Sequence, residues 1–290
     1  MKKILCLVVM FLFVTIAGCS RNSGNGIQVK GSDTMVNLVQ AWAEEFDKEN
    51  PGENISVTGG GSGTGISAFI SHSCDIISAS RKMTPEEVSL AVKNGITPKE
   101  YVVALDGIVV VVNPKNSIGK LTMDQLRDIF IGKIKNWEEV GGKNKNIVLL
   151  SREINSGTHV FFKEHVIRKG NPTGPEEFTS SCLLLPSSQA IADEVSQNPD
   201  AIGYYGMGYI SKNQKIIAVA KNKGSAYIEP SIETVRKNIY PISRPLFLYT
   251  KIDAKESIKK FIDFAFSKMG QEIVKKTDFV PIVTIETVKK

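Results

Sequence analysis

Apolar positions follow two alternating periods along this chain. Gly26 to Lys30, Ile55 to Thr58 (ISVT), Asp75 to Ser80 (DIISAS), Asn146 to Leu150 (NIVLL) and Ala201 to Tyr205 read as short buried strands. Between them, apolar residues fall three and four apart. Met35, Leu38, Val39, Trp42 and Phe46 share one helical face, which Asn50-Pro51-Gly52 ends. Ile66, Ala68, Phe69 and Ile70 repeat that spacing after a glycine run. Thr84 and Thr122 read as N-caps, the first followed by Pro85, the second by Leu126, Ile129 and Phe130 within Leu121 to Gly142. Trp137 in that block reads as core. Ser188 to Asn198 and Ala254 to Lys275 predict later helices, the last with Ile258, Phe261, Ile262, Ala265 and Met269 inward and an interruption near Gly270. Two longer apolar runs stand apart, Val102 to Asn113 (VVALDGIVVVVN) and Ile242 to Thr250 (ISRPLFLYT). Strands alternating with helices predict α/β lobes with largely parallel sheets, where ligands gather at the carboxyl ends of the strands.

Met1 to Ser20 lies outside this alternation. Lys2 and Lys3 precede an apolar run from Ile4 to Ile16 and then Ala17-Gly18-Cys19. The run is short for a membrane span and ends in small residues, as an export signal does. Ile16-Ala17-Gly18-Cys19 looks like a bacterial lipobox, in which Cys19 is diacylated and becomes the first mature residue. Residues 1–18 then form a signal peptide, and 19–26, with RNSGNG, a polar tether. Cys74 and Cys182 remain in the body, too few for a disulfide scaffold, and are expected as separate buried thiols. The formal net charge of +6 comes from scattered lysines with no long basic block, which gives no support to nucleic-acid binding. With 42% apolar residues the chain can bury a large core, expected as two lobes.

Candidate chemistry sits where strands end. Arg152 follows NIVLL, and Ser156-Gly157-Thr158 then offers hydroxyls and backbone N–H groups at a helix start. Such a turn is either an ordinary surface cap or an oxyanion cradle. Ser32, Asp33 and Thr34 pose the same choice after the first strand. Gly59 to Gly65, containing Ser62 and Gly63, lets backbone approach a ligand closely. A loose G-x-G-x-x-A on Gly63, Gly65 and Ala68 begins inside the helix start, which argues against a dinucleotide, and there is no G-K-[ST]. Ser80 and Arg81 end the third strand, Arg81 being either a solvated charge or a second guanidinium on the same anion. Asp106 is costly among β-branched residues unless partnered, so it either caps a strand break or faces the site. His72, His159 and His165 are the only histidines, none in metal-pair spacing, and no G-x-S-x-G elbow exists, so an enzyme is not expected.

In order along the chain, Lys30-Gly31-Ser32-Asp33-Thr34, the Gly59 to Ile66 run, Asp75 to Arg81, Leu121 to Gly142, Arg152 with Ser156-Gly157-Thr158, and Ala201-Ile202-Gly203-Tyr204 with Gly206 resemble the phosphate-binding lipoproteins of ABC phosphate importers, the PstS family. The resemblance covers nearly the whole mature chain. It implies a two-lobed type II periplasmic-binding-protein fold of the α/β class, with an interlobe ligand cleft. Two crossover strands are expected near Val109 to Asn113 and Arg244 to Thr250, residues 27–112 and 245–290 forming one lobe and 113–244 the other. The implied function is capture of inorganic phosphate outside the cytoplasm, without a cofactor, and its delivery to an ABC permease. The implied state is a monomer held at the membrane through lipid on Cys19. Another tetrahedral oxyanion, such as sulfate or molybdate, and a structural lipoprotein on the same fold are the alternatives.

The family's anion contacts fall on Thr34, Ser62, Arg152, Ser156, Gly157 and Thr158, with Ser32, Gly63 and Ser80 beside them. One departure matters. The best-known branch places an aspartate that accepts the phosphate proton where this chain has Arg81. The resemblance then implies two arginines, one per lobe, against a dianion, with the acceptor supplied from Asp106 or Asp33.

Overall fold

The structure is a computed structural model that describes residues 26–282. The signal segment, the lipobox with Cys19 and nearly all of the tether lie outside the described residues. Strand β1 (Ile27–Gly31) leads through a 3-10 turn (Asp33–Met35) into α1 (Val36–Glu49), and β2 (Ile55–Thr58) leads into α2 (Ser62–Ile70). The apolar face of α1 is buried as its spacing requires, and Trp42 donates its indole N–H to the Gly270 carbonyl at 2.8 Å. Next come β3 (Ile76–Ala79), α3 (Pro85–Lys93), β4 (Pro98–Val112), β5 (Lys120–Thr122) and α4 (Met123–Phe130). Thr84 and Thr122 both form capping boxes, each accepting from the backbone N–H three residues on.

The second half runs β6 (Val148–Arg152), α5 (Gly157–Phe162) with a π-helical turn (Lys163–Ile167), β7 (Leu183–Leu185), α6 (Ser188–Gln197) and β8 (Ala201–Gly206). Short strands β9 (Lys215–Ile216), β10 (Ala218–Ala220) and β11 (Tyr227–Ile228) precede α7 (Ile232–Arg236), β12 (Ser243–Lys251), α8 (Glu256–Phe266) and α9 (Lys268–Lys276). The final helical region breaks at Ser267, which caps α9 by accepting from Gly270 N–H, so Gly270 lies within α9. That break turns Met269 outward to 38% exposure, against the expectation of an inward residue.

One sheet of nine strands runs β2-β1-β3-β12-β4-β8-β6-β7, with β9 beside β4; β11-β10-β5 form a second, three-stranded sheet. The expectation of largely parallel sheets holds at the two ends, where β2-β1-β3 and β8-β6-β7 pair in parallel. The centre is antiparallel, because β12 runs against both β3 and β4, and β4 runs against β8. Strands β4 and β12 are the two crossovers. From Pro98 to Gly107 β4 pairs with β12, and from Ile108 to Val112 it pairs with β8, so a single strand passes from one lobe to the other. Both parallel ends therefore aim the carboxyl ends of their strands at the same cleft. Cys74 is buried and Cys182 half-buried, both free, and burial pushes each thiol up to about 12. Among the described residues no helix is long and apolar enough to cross a membrane.

Candidate functional site in the interlobe cleft

Six of the anticipated residues meet between the lobes. Ser32 follows β1, and its hydroxyl donates to Ser80 Oγ at 3.0 Å rather than capping the helix it precedes. Ser62 opens α2, lies 3.4 Å from Ser80 Oγ, and accepts from Ser80 N–H at 3.1 Å. Thr34 reaches across to Thr158 on α5, the two hydroxyls 2.9 Å apart. Gly157 starts α5 with its backbone against this cluster: a Cβ there would lie 2.4 Å from Ser62 Oγ and 2.6 Å from Ser80 Oγ. The hydroxyls are buried, so each must find a partner: Ser32, Ser62 and Ser80 find one another within one lobe, and Thr34 finds Thr158 across the cleft.

Two guanidinium groups flank the hydroxyls. Arg152, at the end of β6, is 1% exposed and donates to Ser188 Oγ, the carbonyls of Leu185 and Pro186, and Asp33 Oδ2 at 2.5 Å. Asp33 is thereby not an N-cap; its other oxygen accepts from Gly60 N–H at 2.9 Å, and its backbone carbonyl accepts from Tyr209 Oη at 2.6 Å. Burial, reinforced by the charge of Asp33, raises the Tyr209 hydroxyl to about 12 and keeps it a donor.

The second guanidinium is Arg244, on β12. Its Nη2 donates to Thr158 Oγ1 at 3.0 Å and to Thr34 Oγ1 at 3.4 Å, and its Nη1 to the Ser80 carbonyl at 3.0 Å. Nε and Nη2 both hold Asp106 Oδ2, while Asp106 Oδ1 accepts from Met207 N–H at 3.0 Å. The plane of Arg244 lies over Phe161, 5.6 Å from the ring centroid. Burial pushes the Asp106 carboxyl up and the Arg244 guanidinium down, and each charge opposes the shift of the other. With bonds on both carboxylate oxygens, Asp106 reads as the partner of Arg244, beneath the hydroxyl cluster.

Three anticipated residues sit apart from the cluster. Arg81 turns away: Nη1 and Nη2 each bond Glu87 at 2.7 Å, and Nη1 also bonds the Lys82 carbonyl. Ser156 spends its hydroxyl as N-cap of α5, accepting from Thr158 N–H at 3.2 Å. Gly63 N–H donates to the Asn155 carbonyl at 2.9 Å, a bond between the lobes.

Sequence reasoning missed Arg244, although a signal existed. It is the lone cation in the apolar run ISRPLFLYT, as Asp106 is the lone acid in VVALDGIVVVV. Two unlike charges, each isolated in a long apolar strand, are the natural candidates to be each other's partner.

The arrangement suits a compact tetrahedral oxyanion, with hydroxyls, guanidinium edges and a glycine backbone converging from strand ends of both lobes. The PBP superfamily domain matches residues 18–269. The phosphate-binding protein PstS of Pseudomonas aeruginosa is 32% identical over 279 residues, covering 90% of this chain and 84% of that one. PstS of Bacillus subtilis is 29% identical, covering 99% of this chain and 97% of its own length. Among solved structures, one from Clostridium perfringens described as a phosphate ABC transporter substrate-binding protein with bound phosphate superimposes with a TM-score of 0.80. It shares 33% identity and covers 89% of this chain and 100% of that one. An ABC-type phosphate transport receptor from Vibrio cholerae gives 0.70 at 27% identity, covering 88% and 99%. With strand order, cleft and sequence likeness in agreement, this chain belongs to the PBP superfamily and, within it, to the PstS family of phosphate-binding proteins.

Proposed function

We propose that this protein captures inorganic phosphate outside the cytoplasm and hands it to an ABC importer. The observation that carries the reading is the convergence, from both lobes, of buried hydroxyls on Ser32, Thr34, Ser62, Ser80 and Thr158 with the guanidinium of Arg244. In mechanism, the open cleft admits the anion, hydroxyls and the Gly157 backbone replace its water, and closure excludes solvent so that each charge-assisted bond strengthens. Arg244, held flat by Asp106, supplies positive charge beneath Thr34 and Thr158. Arg152 ties its strand end to Asp33 and so draws the two lobes together. Its family consists of binding proteins, and the protein is not an enzyme. Titration with phosphate, arsenate, sulfate and molybdate tests the reading: one phosphate per chain is expected, and binding of none of these would leave a structural lipoprotein on this fold.

One observation favours a second reading. Asp33 and Asp106 are each paired with an arginine and each also accepts a backbone N–H on its other oxygen, so neither stands as an acceptor reserved for the proton of a phosphate. A site with no carboxylate reserved for a ligand proton suits sulfate or molybdate as well as phosphate, and the same titration separates them.

Lipid on Cys19 is part of the proposal. A second acyl chain converts marginal membrane binding into stable anchoring, and mass spectrometry of the mature N-terminus, expected to begin at a modified Cys19, decides it. The lobe limits belong here too, 27–112 with 245–290 against 113–244; the change of partner within β4 at Gly107 supports a first crossing inside that strand rather than at its end. Action as a monomer, with the importer's permease as partner, completes the proposal.

A further inference from the structure

We infer that Asn155 is a latch, a positioning residue that holds the closed lobes together and so sets how long the anion stays bound. The inference rests on the anion-binding reading above. Asn155 lies on the turn between β6 and α5, half-buried, three residues after Arg152 and two before Gly157. Its Nδ2 donates to the Gly60 carbonyl at 2.8 Å and to Thr64 Oγ1 at 3.1 Å, and its carbonyl accepts from Gly63 N–H at 2.9 Å. All three partners belong to the other lobe, on the loop that leads into α2 and on its first turn.

The glycine run acquires a second purpose from this contact. Gly61 adopts a φ of +94°, and a Cβ there would lie 2.8 Å from the Asn155 carbonyl oxygen; a Cβ on Gly63 would lie 3.2 Å from the same atom. These glycines therefore form a socket for a residue of the opposite lobe. The Asn155 bonds involve none of the clustered hydroxyls, so they act on closure and not on the anion itself. Because they exist only when the lobes meet, their loss falls on dissociation and spares the encounter with the open form.

Stopped-flow phosphate kinetics on the full chain, with unfolding midpoints measured without phosphate, test the latch in Asn155→Ala and Gly63→Ala. For Asn155→Ala the dissociation rate should rise about tenfold, equivalent to about 1.4 kcal/mol, with the association rate held within about twofold. Gly63→Ala should shift dissociation in the same direction, since its Cβ crowds the Asn155 carbonyl. The phosphate-free midpoint should stay unchanged in Asn155→Ala. Dissociation equal to the parent, a loss that appears only in association, or a parallel fall in phosphate-free stability overturns the latch alone. A parent protein that binds none of the four oxyanions overturns the latch and the binding reading together.

Discussion

Asp106 and Arg244 stand opposite each other in the register of β4 and β12, and Asp106 Oδ2 takes two bonds from the guanidinium, at 2.8 and 3.0 Å. Both are buried at the point where β4 passes between lobes, so the pair fixes the Arg244 edge that faces Thr34 and Thr158. Removing one member of such a pair leaves an uncompensated charge, at a cost of about 3–5 kcal/mol. Asp106→Asn should lower stability on that scale in urea unfolding and weaken phosphate and sulfate alike. A variant that keeps its stability while its phosphate preference over sulfate collapses would instead make Asp106 the acceptor of the phosphate proton.

Arg152→Lys should weaken phosphate binding at least about tenfold, or about 1.4 kcal/mol. The guanidinium serves Ser188, Leu185, Pro186 and Asp33 at once, and a single ammonium cannot reproduce that fork. Calorimetric titration checks this. Unchanged affinity would show that the Arg152–Asp33 pair has no part in binding.

Local chemistry was the legible part of the sequence. The spacing of Leu38, Trp42 and Phe46 fixed a helix, Thr84 and Thr122 fixed two helix starts, and the turns bearing Ser32, Ser62, Ser80 and Gly157 met as their positions at strand ends required. What depends on distant pairing was not. Arg81 follows Ser80 directly, yet Glu87, six residues on, captures its guanidinium, because a local bidentate partner costs little chain entropy to reach. Arg244 is 138 residues from Asp106, and only the antiparallel register of the crossovers brings them together. Strands β9, β10 and β11, two or three residues long, are too short to carry a period.

Gly157→Ala isolates the steric demand of the site. The position opens a helix, and alanine suits a helix better than glycine, so the helix itself should be kept. The added methyl would stand 2.4 Å from Ser62 Oγ and 2.6 Å from Ser80 Oγ, forcing the hydroxyls apart. Phosphate affinity should fall by two orders of magnitude or more, about 2.7 kcal/mol, while circular dichroism keeps the helix content of the parent. Parent-like affinity would place the anion elsewhere than at this cluster.

His159 gives the protein a pH dependence that is separate from the ligand. Its ring packs 4.6 Å from Phe178, and its Nδ1 lies 3.1 Å from Ser151 Oγ, which in turn bonds Tyr204 Oη at 2.6 Å. Burial, with the charge of Lys163 adding to it, lowers the ring from 6.5 to about 4. The folded protein therefore keeps this histidine neutral while the unfolded chain takes up a proton below pH 6.5. Since the unfolded state binds more protons between about pH 4 and 6.5, stability is full above 6.5, falls as pH drops through that window, and levels off below it for this group. The gap corresponds to roughly 3 kcal/mol. In His159→Gln, which keeps a neutral polar group beside Ser151, urea midpoints should fall less steeply between pH 6.5 and 4 than in the parent. Parallel profiles for the two proteins would assign the acid sensitivity to other groups.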